Sequence, residues 1–402
     1  MANINKIKGR IGILTGGGDV PGLNPAIRGV TMRAIKEGYE VIGLRRGWAG
    51  LAELVRDDQY DNSNNYIKLT PDIVTKAART GGTFLHSSRT KASKVPRDLV
   101  PDHLKDKYTD DLNDLTPDIV KNLDYLGIDT LIPIGGDDTL SYGVHLHDAG
   151  FKCIAIPKTM DNDVPGTDYC IGFSTCVTRT IELSNNLRTS TGSHERILVM
   201  EAFGRYAGFS ALMPAMAGAA DRCMIPEYKP TKEELVQLLV ADRKANPSNY
   251  SIVIVSEGAM FSDHDDMIFN SHETDMFGHK KLGGISDEVS DAIKELSPKF
   301  NNGKKVETIV QRLGYMVRSG NPDAIDSTIP MAWGNLALDL IIRGESGKLV
   351  CVKNGKYGVD DLEVVTSYEK VVDVDQYYNT ARLRPKYKSF EGNSVFNVGT
   401  KR

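Results

Sequence analysis

Cysteine is scarce in this 402-residue chain: Cys153, Cys170, Cys176, Cys223 and Cys351 are odd in number and show no Cys-x-x-Cys pairing. A disulfide framework and a cysteine-built zinc site are therefore excluded, and reduced thiols packed as small hydrophobes are expected. The eight histidines lack His-Glu-x-x-His spacing, and His145 and His147 are expected on the solvated side of a helix. No run approaches the roughly 20 apolar residues that cross a bilayer, and the start lacks a signal-peptide core. The expectation is a cytoplasmic chain with no membrane partner. Charge of one sign is not in excess either, since 49 Lys+Arg against 53 Asp+Glu leave a net charge of -4. That argues against a nucleic-acid partner and confines any basic site to a local patch. Internal repeats, low-complexity tracts and a Gly-x-x-x-x-Gly-Lys-[Ser/Thr] loop are absent too, and the last absence disfavours a Walker-type nucleotide site.

What is present is ordinary globular composition, 40% hydrophobic and 25% charged, over a length beyond the roughly 250–300 residues at which one core stops growing. Two domains follow. Ile11 to Thr15 reads as a buried strand, Gly16-Gly17-Gly18-Asp19 as a loop, and Leu23 to Glu37 as a helix. The grammar repeats: Thr116-Pro117 is expected to cap a helix stopped by Gly127, Leu131 to Ile134 is a strand, and a helix from Leu140 to about Asp148 precedes the strand Cys153 to Ile156. A second block has strands at Ile197 to Met200 and Ile252 to Val255, with Thr231 and Glu234 forming a capping box between them. Residues 260–284 lack periodicity and read as an exposed loop, in which His264, Asp265 and Asp266 are turn chemistry rather than a metal site. The fold class is α/β: two similar-sized lobes, each a largely parallel sheet with helices on both faces, and an active site at strand carboxyl ends between the lobes.

Three strand ends carry loops suited to chemistry. Gly16 to Asp19 can bring backbone N–H groups and a helix amino end to an anion, although the same residues also read as a plain tight turn. Gly135-Gly136-Asp137-Asp138 pairs an approachable backbone with adjacent carboxylates that repel unless a cation is near, the demand of a magnesium-phosphate site. Thr159-Met160-Asp161-Asn162-Asp163 adds carboxylates able to take a proton from a hydroxyl, with Lys158 beside them. Positioned phosphate, divalent ion, cation and carboxylate base are the parts of phosphoryl transfer.

With these loops stand Asp19, Pro21, Gly22 and Asn24; Gly81-Gly82-Thr83 leading to Arg89; Arg196 after Gly192-Ser193-His194; Phe203-Gly204-Arg205; Glu257-Gly258; and Gly314-Tyr315-Met316-Val317-Arg318. In this order and spacing the chain resembles the bacterial-type phosphofructokinase family. The resemblance implies lobes made of 1–173 with 314–363, for the donor phosphates, and of 174–313 with 364–402, for the sugar phosphate. It implies Asp161 as the base for the fructose 6-phosphate 1-hydroxyl and Asp137 as the Mg2+ carboxylate. Thr159, Asp163, Phe203, Gly204, Arg205 and Glu257 fall on the sugar side. Gly18 and Arg89 match donor-phosphate contacts, while Tyr315 and Arg318 match the pair that binds the 6-phosphate. Arg196 matches an arginine reaching into a neighbouring subunit, implying a homodimer or homotetramer with shared sites.

Where ATP-using members have glycines, this chain has Asp138 and Lys158, the pair of the pyrophosphate-dependent branch. A carboxylate at Asp138 obstructs a nucleotide α-phosphate by charge and bulk, and Lys158 compensates pyrophosphate in the transition state. Pyrophosphate is the expected donor and reversible transfer the expected reaction. An ATP-dependent phosphofructokinase is the alternative; a non-catalytic sugar-phosphate sensor fits less well because Asp161, Asp137 and Arg205 are intact, and a lipid or NAD kinase because it leaves the sugar-side residues Arg196, Glu257 and Arg318 without purpose. One departure concerns the 6-phosphate: Glu307-Thr308 is followed by Ile309 where many members have arginine, leaving Arg312 as the candidate to supply that charge.

Overall fold

The computed structural model describes residues 7–402 apart from 265, 266, 268, 275–279, 389 and 397. Contacts divide the chain into two units, residues 1–159, 164–172 and 319–368 in the first and residues 160–163, 173–318 and 369–402 in the second. The division is finer than the expected boundaries: 160–163, Phe173 and 314–318 belong with the second unit and 364–368 with the first.

Continuous apolar runs make the strands of the first unit, because a parallel strand flanked by helices on both faces must bury both sets of side chains. Thr130–Gly135 and Ile154–Pro157 are buried throughout, as is all but the first residue of Arg10–Thr15. The seven-stranded sheet runs Lys356–Asp361, Lys348–Lys353, Ile154–Pro157, Thr130–Gly135, Arg10–Thr15, Glu40–Leu44, Tyr66–Lys68. Its interior pairings are parallel, and only the outermost strand at each edge is antiparallel. On one face Leu14, Leu131 and Ala155 bury Leu140, Leu146, Leu123 and Trp48. The second unit has a four-stranded, all-parallel sheet in the order Thr308–Arg312, Ile197–Ala202, Ser251–Ser256, Arg222–Met224. Its helix Lys232–Ala245 starts at the expected capping box, Thr231 and Glu234 satisfying each other's backbone N–H.

Several local expectations are corrected. The helix after Thr130–Gly135 is Asp137–Asp148, starting three residues before Leu140, so Asp137 and Asp138 occupy a helical first turn rather than a loop. Carboxylates are favoured there by the helix dipole, which an apolar-periodicity reading ignores. Thr116 is the first residue of its helix and not the cap; Asp114 accepts its N–H at 2.9 Å, and the Thr116 hydroxyl lies 2.9 Å from that of Tyr142. Within 260–284, Phe269–Thr274 and Lys280–Leu282 pair as an antiparallel ribbon instead of an irregular loop, held by backbone pairing that composition does not register. Asp265 and Asp266 lie outside the described residues. His145 is exposed as expected, but His147 is half-buried, its Nδ1 3.2 Å from the Phe151 carbonyl. All five cysteines are buried and none is in a disulfide, and burial pushes the Cys153 thiol up to about 12. Among the described residues, no helix is long and apolar enough to cross a membrane.

Candidate active site

In the first unit three strand ends build one cradle. Gly16 follows Arg10–Thr15 and donates its N–H to the Ile134 carbonyl of the neighbouring strand at 3.0 Å. Thr139, buried in the first turn of Asp137–Asp148, is wedged against both glycine turns. A Cβ on Gly16 would lie 2.4 Å from its Oγ1, and one on Gly135 2.4 Å from its Cβ, so neither position has room for a side chain. Gly17 donates to the Ser88 carbonyl at 2.8 Å and accepts from the Ser87 hydroxyl at 2.5 Å, which ties the loop carrying Arg89 to the glycine turn. Lys158 leaves the end of Ile154–Pro157 with its backbone N–H on the Gly135 carbonyl at 2.8 Å. Its side chain is only 5% exposed, and Nζ donates to the Gly18 carbonyl at 2.7 Å. Gly18, Lys158 and the Asp137–Asp138 turn are thus assembled by backbone pairing, with Asp137 and Asp138 exposed and Lys158 buried. Thr159 continues this layer, its N–H on the Ile171 carbonyl at 3.2 Å.

The second unit gathers carboxylates. Met160 to Asp163 turns sharply at Asn162, whose φ of 56° lies in the left-handed region that asparagine tolerates better than most residues. Asp161 is held well above the ordinary carboxylate range, first by burial and then by the like charges of Asp163 and Glu257; the Arg205 backbone N–H and guanidinium oppose the rise. Phe203, Gly204 and Arg205 follow the strand Ile197–Ala202, and Glu257 follows Ser251–Ser256. Glu257 donates its N–H to Ala202 at 2.9 Å and Gly258 to Gly204 at 3.1 Å, so the two strand ends are laced together. Gly204 has a φ of 118°, open to glycine alone at little strain. Further along, Arg318 is 9% exposed with its guanidinium 5.2 Å from the ring centre of Tyr315, which is itself 75% exposed. A buried carboxyl beside arginine and a guanidinium over an exposed ring are groups able to meet hydroxyls and anions.

The profile described as phosphofructokinase matches residues 10–341, most of the chain. The chain belongs to the phosphofructokinase family. A pyrophosphate–fructose 6-phosphate 1-phosphotransferase of Dictyoglomus thermophilum is 36% identical over 91% of this chain and 96% of the relative. An ATP-dependent 6-phosphofructokinase 3 of Streptomyces coelicolor is 34% identical over 90% and 94%. Both donor names therefore occur among phosphofructokinases about equally similar to this one. A solved structure of a pyrophosphate-dependent phosphofructokinase from Nitrosospira multiformis shares the fold, with a TM-score of 0.70 at 18% identity over 98% of each chain.

Arg196 and Arg312 stand differently from what the resemblance implied: Arg312 ends the strand Thr308–Arg312 beside Glu201, at the carboxyl end of the sheet, and Arg196 is at the other end. Arg196 immediately precedes Ile197–Ala202, whereas Phe203 to Arg205 follow it, so the two are separated by a strand length of about 20 Å. Arg312 does not stand free for a phosphate: it pairs with Asp287 and lies 3.8 Å from Glu201 Oε1, and Glu201 in turn accepts from Ser286 N–H and hydroxyl. It is therefore a poor replacement for the arginine missing at Ile309. His264 meets Glu288 at 2.7 Å, and Lys232 Nζ already bridges Asp263 and Glu288 at 3.1 and 2.8 Å, an ion-pair network that supplies its own cation. Lys91 escapes sequence reasoning; the structure sets its Nζ 3.2 Å from Asp138, and the only signal was its place two residues beyond Arg89.

Proposed function

We propose that the protein transfers a phosphoryl group from pyrophosphate to the 1-hydroxyl of fructose 6-phosphate, giving fructose 1,6-bisphosphate and phosphate, with the reverse reaction open. The observation that carries this reading is the buried Lys158 ammonium fixed on the Gly18 carbonyl, with the Lys158 backbone N–H on Gly135 just ahead of the Asp137–Asp138 turn. An ammonium held in place at the glycine turn offers a fixed positive charge to a small polyanion seated there. Asp138 at that mouth opposes the additional phosphate of a nucleoside triphosphate. ATP as donor is the second reading, supported by the similarity to ATP-dependent relatives.

Gly18 and Arg89 bind the donor, and Lys158 balances the charge that builds on the transferring phosphoryl group. Thr159 and Asp161 are two residues apart in the chain although they belong to different units, so donor and acceptor chemistry are covalently adjacent. Asp161 accepts the 1-hydroxyl proton as that oxygen attacks phosphorus and the bridging P–O bond breaks; in reverse, the protonated carboxyl returns it. Arg205, Glu257, Gly204, Phe203 and Asp163 orient the sugar, and Tyr315 with Arg318 takes its 6-phosphate. An exposed aspartate on a helical first turn, with a second carboxylate adjacent, is an oxygen donor set that fits Mg2+, and Asp137 would hold it. When bound, that ion neutralises phosphate charge. We further propose a homo-oligomer in which Arg196 serves the neighbouring subunit's sugar phosphate.

Lys158→Met tests the reading. It is expected to lower kcat with pyrophosphate by about 10²–10³ while the KM for fructose 6-phosphate stays within a few-fold. Unchanged kcat with a rate-limiting chemical step contradicts it.

A further inference from the structure

Lys91 belongs to the loop that Ser87 and Ser88 tie to Gly17, and its ammonium reaches Asp138 Oδ1 at 3.2 Å. The two side chains are 43% and 50% exposed, so the pair stands at the rim of the donor cradle and contributes little to stability. Its consequence is electrostatic. An aspartate covered by an ammonium repels an approaching polyphosphate less than a bare one, and the ammonium so engaged is withheld from the donor. Pyrophosphate has its cation deeper in the cradle, at Lys158. A nucleoside triphosphate carries a further phosphate outward toward the rim, where Lys91 lies within salt-bridge reach of Asp138.

Resting on pyrophosphate as donor, we infer that Lys91 is a second donor-specificity residue: paired with Asp138, it is kept from the additional phosphate of a nucleoside triphosphate. Asp138 thus excludes that donor as much by occupying Lys91 as by its own charge. Lys91 also has a role toward pyrophosphate, shielding it from Asp138.

Four proteins test this: wild type, Asp138→Gly, Lys91→Met and the double variant, each assayed for kcat/KM with ATP and with pyrophosphate. Equal melting temperatures serve as the folding control, which the exposure of both side chains permits. Asp138→Gly should gain about 10-fold or more with ATP, the worth of one charge-assisted contact, and the double variant should lose most of that gain. Lys91→Met alone should raise the KM for pyrophosphate several-fold by removing the ammonium set against Asp138 Oδ1, and removing Asp138 as well should relieve it. Additive effects around the cycle, or an Asp138→Gly variant with no gain for ATP, overturn the inference. A wild type that prefers ATP contradicts the pyrophosphate reading and the inference together. A wild type that prefers pyrophosphate with a flat cycle contradicts the inference alone.

Discussion

Asp161 holds its proton more tightly than an ordinary aspartate because burial and two like charges penalise its ionised form. For the proposed base this is an advantage, since a stronger base is better matched to a hydroxyl proton near neutral pH. Asp161→Asn should cost about 10²–10⁴ in kcat. The sign for stability is opposite. A carboxyl whose folded pKa is raised costs stability once pH rises past its ordinary value, so the same substitution should raise the melting temperature at neutral pH. The acid limb of kcat/KM for fructose 6-phosphate should lie above the ordinary aspartate value of 3.8. Asp163→Asn removes a like charge, lowers the Asp161 pKa and should move that limb toward acid; a limb that stays in place would show that another group titrates there. Among individual residues, the strand-end positions of Asp161, Asp137 and Lys158 were legible because acidic, glycine and lysine residues cluster just after apolar runs. The pairing of Arg312 with Asp287 and that of Lys91 with Asp138 were not, since each joins segments distant in sequence and only folding sets their separation.

At the scale of elements, the strand–glycine–helix units carry the design. Gly16 and Gly135 are bare because Thr139 fills the space between two parallel strand ends, and the helix that brings Thr139 also brings Asp137 and Asp138. Gly135→Ala should push Thr139 and that first turn away, costing about 1–3 kcal/mol by overpacking. The KM for pyrophosphate should rise while that for fructose 6-phosphate is unchanged; an unaltered donor KM with a lowered melting temperature would make the contact purely structural. Apolar runs such as Ile252 to Val255 announced their strands, because a strand buried on both faces leaves a continuous signature. The ribbon of Phe269–Thr274 and Lys280–Leu282 left none, and Asp137–Asp148 was read short because its first turn is polar and rests on glycine backbone.

At the scale of the whole molecule, each unit carries part of the proposed reaction: the first positions Lys158 and the glycine turns, the second Asp161, Arg205 and Glu257. Arg196, a strand length from the second cluster in its own chain, acts in this account on a neighbouring subunit. Asp161→Ala and Arg196→Ala proteins, each poor alone, should regain roughly a quarter of wild-type activity when mixed equally as exchanging dimers, because half of the sites in mixed dimers hold both intact residues. No recovery under demonstrated exchange would place Arg196 within its own site or outside it. The central claim is the choice of donor. The direct measurement is kcat/KM for pyrophosphate and for ATP on the unaltered protein with saturating fructose 6-phosphate and Mg2+. This account predicts a preference for pyrophosphate of roughly 100-fold or more; efficient turnover of ATP with pyrophosphate ignored would contradict it.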